Sequence, residues 1–171
     1  MKYMEKGNFK QHPLMRLTLS LTLVLFTLFW LTSFAMFFVK MNFDPQSVIN
    51  YYQGNEITFQ VGKSFEGLVE TAHMHLPMMA LVVLVLTHLC IFIPIKNSFK
   101  IAIILSGFLS ATFMELSSFG VKYHHAYAWA LVKIGSFILM QTIIAVMLLA
   151  LAVYLWFWPH GAIHKKHKAH P

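Results

Sequence analysis

Long blocks of apolar residues separated by short polar breaks dominate the chain. Four blocks stand out: roughly Leu14 to Val39, Leu76 to Ile95, Ile101 to Phe119 and Ala128 to Trp158. Each approaches or exceeds the ~20 residues that a helix needs to cross about 30 Å of hydrocarbon. Inside a bilayer every backbone polar group must be bonded within the protein, and separate segments of this length achieve that as helices. The pattern therefore predicts an all-α, integral membrane four-helix bundle. The first block has a basic start, but its apolar run exceeds the ~7–15 residues of a signal-peptide core and reads as a span.

The largest polar break, 41–70, forms a loop on one side. Asp44-Pro45 has the form of an N-cap followed by proline at the first helical position. Gly54 fits the stop of a short helix over Gln46 to Gln53. Ser64 is placed to cap a helix that runs through Glu70 into the second span. Residues 1–158 thus make one transmembrane domain, and 159–171 a basic, histidine-rich tail that reads as solvated, with no fixed structure.

Composition supports a membrane location. The 171 residues are 58% hydrophobic and 11% charged, with mean hydropathy +0.64. A soluble domain carries about 25% charged residues. The net charge of +7 reflects lysines that flank the spans and does not point to nucleic acid. Nine basic residues (among them Arg16, Lys96, Lys100 and Lys165) fall on one side of the predicted topology, and Lys40, Lys63, Lys122 and Lys133 on the other. That bias predicts both termini in the cytoplasm of a multi-pass protein in a bacterial inner membrane. Cys90 stands alone, which rules out an internal disulfide, a CxxC redox pair and a c-type haem attachment. There is no phosphate loop, no G-x-S-x-G elbow and no H-E-x-x-H.

Histidines carry the candidate chemistry. His73 and His75 flank Met74 just before Pro77, at the outer end of the second span. His124 and His125 sit in the turn between the third and fourth spans, on the same side. Glu70 and Glu115 lie close to that level. Four imidazoles and two carboxylates therefore converge on one rim of the bundle, where they suit a ligand or redox site or, more simply, interfacial anchoring. His73 and His75 point about 200° apart on a helix, whereas His73 and His88 are about 60° apart with a rise of ~22 Å. This wheel faces His73 and His88 inward and turns His75 to the loop. His88, inside a span, is a functional candidate by default; the plain alternative is a neutral ring bonded across a helix interface. Met74, Met78 and Met79 are soft donors that suit Cu(I), though methionine is also ordinary filler.

A bundle with imidazoles at its faces suits b-type haem, which takes one axial ligand on each side of the ring. The segments A-H-M-H-L-P, T-H-L and Y-H-H-A, set in four spans, resemble the four-helix membrane cytochromes b. That resemblance implies electron transfer between quinol and a partner redox protein. The need for one haem b ligand on each face of the ring is met by His73 with His124 or His125, with His75 a further cofactor candidate beside them; His88 is the candidate ligand of a second haem nearer the cytoplasm, whose partner is not evident, Met147 being a weak one. Two other readings stand beside it. One is a non-haem iron, copper or zinc site built from His73, His75, His124, His125, Glu70 and Glu115. The other is a cofactor-free accessory subunit of a membrane respiratory complex. All three expect lipid contact and neighbouring subunits, and the first also expects a quinone. None gives this chain a stand-alone catalytic residue.

Overall fold

The computed structural model describes residues 12–157. Four long helices account for most of it: α1 (Pro13–Lys40), α3 (Phe65–Ile91), α4 (Asn97–Tyr123) and α5 (Ala126–Trp156). Each is long and apolar enough to cross a membrane, so the chain is a multi-pass, all-α membrane bundle. Between α1 and α3 lie a short helix, α2 (Pro45–Gln53), and a two-residue antiparallel hairpin, β1 (Gly54–Asn55) with β2 (Gln60–Val61). Gly54 pairs with Val61 and Asn55 with Gln60. The face of the bundle that carries these elements is called the hairpin face below.

Local chemistry sets the element ends. The Asp44 carboxylate accepts the Ser47 N–H at 3.0 Å, and Pro45 opens α2, as its sequence predicts. Gly54, at φ 96°, takes the chain out of α2 into the hairpin; a Cβ there would meet the Gln60 carbonyl and the Gly62 nitrogen at 2.8 Å. The Ser64 hydroxyl accepts the Gly67 N–H at 3.1 Å and starts α3. That cap explains why the helix begins eleven residues before the apolar block at Leu76: a helix can extend past the hydrocarbon once its first N–H groups are satisfied. Pro77 lies inside α3, which continues to Ile91 instead of starting at the proline. The expected end of the fourth span at Trp158 and the tail histidines lie outside the described residues.

The helices alternate in direction, so the two described ends meet on the face opposite the hairpin. There the Arg16 guanidinium lies 4.1 Å from the centre of the Trp156 ring. Helix α4 folds back on α5 through the two-residue link His124–His125, and the pair is close-packed. Small residues at helical spacing, including Gly107, Ser110, Ala111, Ser117 and Gly120, line the buried face of α4. Small side chains let membrane helices approach, which favours dispersion contacts where no hydrophobic drive separates protein from lipid. Helix α1 is the least enclosed; of its residues only Phe37 is fully buried. It rests on α5 through the Phe37–Phe137 stack (centroids 4.0 Å apart) and a 3.0 Å bond from the Trp30 indole N–H to the Gln141 backbone carbonyl. On the hairpin face the Gln53 amide donates to the Val121 carbonyl at 2.7 Å and ties α2 to the end of α4.

Candidate functional site

Buried positions on α3 run Leu68, Met79, Val82, Val83, Leu86, Thr87 and Cys90. His75 stands seven residues after Leu68 and four before Met79, so it falls on that inward stripe. Its Nδ1 lies 3.1 Å from Oε1 of Glu115 on α4. The Glu115 side chain is 6% exposed and the imidazole 50% exposed. This is the one ion pair among the described residues. With Nδ1–H donated to the carboxyl oxygen, Nε2 is left as the acceptor or ligand atom of the ring.

The pair borders a partly open cavity of about 300 Å³ lined by residues of α1, α2, α3, α4 and α5. Six of the chain's eleven methionines line it: Met36, Met41, Met78, Met79, Met114 and Met140. Thioether chains rearrange easily, so such a wall adapts to the shape of what it holds. Lys40, Tyr51 and Lys63 stand where the cavity approaches the hairpin face, with the Lys63 ammonium 5.0 Å from the Tyr51 ring centre.

Two further polar groups on α5 border this space. Lys133 is 5% exposed. Its ammonium donates to the Met114 carbonyl at 2.5 Å and to the Ser118 hydroxyl at 2.8 Å, and that hydroxyl donates to the Tyr52 oxygen at 3.0 Å. The relay satisfies an ammonium that would be costly to bury bare. Gln141, two turns deeper, is 3% exposed, and neither its amide nitrogen nor its amide oxygen has a partner. Leaving buried amide atoms unbonded costs about 1–3 kcal/mol.

The expected site residues separate in space. His73, Glu70, His124 and His125 are exposed on the hairpin side of the bundle. No three His, Cys, Asp or Glu side chains among the described residues gather closely enough to share an ion. The expected inward turn of His73 and His88 and outward turn of His75 is reversed. His73 is off the buried stripe, and His88 follows the exposed positions Leu81 and Leu84, with its ring edge-on to Phe92 at 5.6 Å. The wheel gave correct relative angles, but only the packing partner decides which angle is inside, and α4 meets the His75 side. His124 and His125 serve as the caps that end α4 and begin α5. Lys133 and Gln141 were not singled out from the sequence. Their signal was present: each interrupts an apolar run within a span, and intramembrane polar residues mark function or a buried partner.

A family model described as a transmembrane helical domain matches residues 42–167. The match begins after α1 and takes in everything from α2 to α5. No curated protein and no solved structure matches this chain.

Proposed function

This chain belongs to that family of transmembrane helical domains, and from that premise we propose that it works as an electron-transfer subunit of a membrane redox assembly, between quinol and a partner redox protein. The observation that carries the reading is the His75–Glu115 pair on the wall of a membrane-embedded cavity. A carboxyl group that fixes Nδ1 presents Nε2 to the cavity as a base for a hydroxyl proton. Oxidation of a quinol releases two protons and two electrons. In this reading His75 takes up one proton on the cavity side, the second leaves to water at the outer face, and the redox partner takes both electrons. The lysine and arginine bias supports an orientation with both termini in the cytoplasm of a bacterial cell, and so with the hairpin face, near which His75 lies, on the outer side.

The test uses the assembly co-isolated on a tagged chain, with duroquinol as donor and ferricyanide as acceptor. His75→Ala lowers the rate about a hundredfold, the usual scale for loss of a positioned base. Equal rates in the two proteins overturn the proposal.

The same pair also favours a haem reading. Metal-binding histidines characteristically donate their second ring nitrogen to a carboxylate. A six-coordinate haem takes two axial ligands, and among the described residues no third His, Cys, Asp or Glu gathers with His75 and Glu115. Haem bound at this site would be held on this chain through His75, and would supply a one-electron carrier. A reduced-minus-oxidised spectrum of the co-isolated assembly then shows a b-type band that His75→Ala removes and His73→Ala leaves. A band unaffected by His75→Ala assigns the haem elsewhere.

A further inference from the structure

We propose that the cavity binds the ring of a para-quinone or its hydroquinone between two poles, with one ring oxygen at His75 and the opposite oxygen at Gln141. The proposal seats the quinol of the redox subunit proposed above, adds Gln141 as its second pole, and rests on that reading only for its biological setting.

Four observations carry it. The cavity volume of about 300 Å³ suits a substituted six-membered ring and not a whole phospholipid. Its lining surface is mainly apolar and adaptable through the methionines, with polar side chains set among them, of which His75 and Gln141 are the two that the proposal uses. The spacing of the poles fits. Met79 and Met140 belong to one core cluster and both line the cavity. Val83 of α3 and Ile143 of α5 both lie against Gly107 of α4 and so share a depth; His75 stands eight residues above the first and Gln141 two above the second, which sets the two positions about 9 Å apart in depth. Opposite oxygens on a quinone ring are separated by about 5 Å, and a hydrogen bond of about 3 Å at each end asks for poles up to about 11 Å apart, a span that this depth offset and the lateral gap between α3 and α5 supply together.

The fourth observation is the state of Gln141. Its amide is sealed from water at 3% exposure and has no partner on either atom. A small turn of this side chain towards the cavity brings the amide to a bound oxygen and removes that deficit. Both poles can also serve either redox form. An amide donates from its nitrogen to a quinone carbonyl and accepts on its oxygen from a hydroquinone hydroxyl, and an imidazole Nε2 accepts from the hydroxyl or, when the ring is doubly protonated, donates to the carbonyl. An anionic lipid headgroup would instead settle at Lys40 and Lys63 near the hairpin face and would leave Gln141, deeper in the span, untouched.

The full-length protein in phosphatidylcholine nanodiscs free of quinone is titrated with a benzoquinone bearing a decyl tail, with quenching of tryptophan fluorescence as the readout. Wild-type protein shows saturable binding. His75→Ala and Gln141→Met each weaken it about fivefold or more, the loss of one hydrogen bond. Phe108→Leu, on the exposed face of α4, leaves binding unchanged, and phosphatidylglycerol in the disc does not compete. Gln141→Met keeps side-chain volume, so the proposal stays testable if His75→Ala fails to fold. Quenching that rises without saturation, equally in wild type and variants, overturns the site. Binding lost in only one of two folded variants overturns the two-pole arrangement. Competition by phosphatidylglycerol assigns the cavity to lipid and overturns the quinone. Saturable binding without electron delivery in the duroquinol assay retires the redox reading and leaves the site standing; delivery without saturable binding does the reverse.

Discussion

At the scale of single residues, membrane burial raises the stakes of each polar group. Lys133 is tolerable on α5 because two of its three donors end on the Met114 carbonyl and the Ser118 hydroxyl. Ser118 in turn spends its proton on Tyr52. Members of such a relay should not contribute independently. Ser118→Ala and Tyr52→Phe are each expected to lower stability by about 1 kcal/mol. The double variant should fall short of their sum, because either change already breaks the Ser118–Tyr52 bond. Thermal or denaturant unfolding in detergent completes that cycle; strict additivity would show that the bond contributes nothing. Gln141 is the contrasting case, a buried amide with no partner. What the sequence made legible at this scale was the set of polar residues inside apolar runs. Which of them pair was not legible. His73 and His75 are chemically alike and two residues apart, and only the arrival of Glu115 from α4 separates their roles.

Among the elements, the long apolar blocks translated directly into spans, because a run of about twenty apolar residues has few other stable fates. Their ends did not. Helix α3 starts at Phe65 and α4 at Asn97, beyond the apolar blocks at Leu76 and Ile101. Caps and interfacial packing extend a helix into regions where hydropathy carries no signal. Contacts between helices depend on surface relief, and there the small residues of α4 decide. A Cβ built on Gly120 would lie 2.2 Å from the Trp129 ring of α5, so this position requires the absence of a side chain. Gly120→Ala should destabilise the α4–α5 pair by about 1–3 kcal/mol, the usual range for overpacking. Trp129→Leu in the same chain should recover part of that loss. A Gly120→Ala protein that melts at the wild-type temperature would contradict the packing described.

For the molecule as a whole, the compact part is α3 to α5 with α2 across their hairpin face, and α1 leans on this body through Phe37, Trp30 and the face of α5. The family match has the same boundary, starting at residue 42. The hairpin tip carries Ile57 and Phe59 almost fully exposed, at 89% and 93%. If the proposed orientation holds, Ile57→Cys in a Cys90→Ala background is labelled in intact spheroplasts by a membrane-impermeant maleimide. Labelling only after lysis would invert the topology. The lysine of α5 also bears on how the protein is made. A lysine within a lone apolar helix opposes insertion, here by less than the about 2.5–3.5 kcal/mol of a central position because Lys133 stands in the first third of α5, and Lys133 finds its acceptors on α4, the span synthesised immediately before. The two-residue link leaves no room for those helices to partition far apart. The translocation machinery should therefore release α4 and α5 to lipid as one preassembled unit, with the ammonium already sheltered, and a variant that lengthens that link should slow biogenesis more than it weakens the finished bundle.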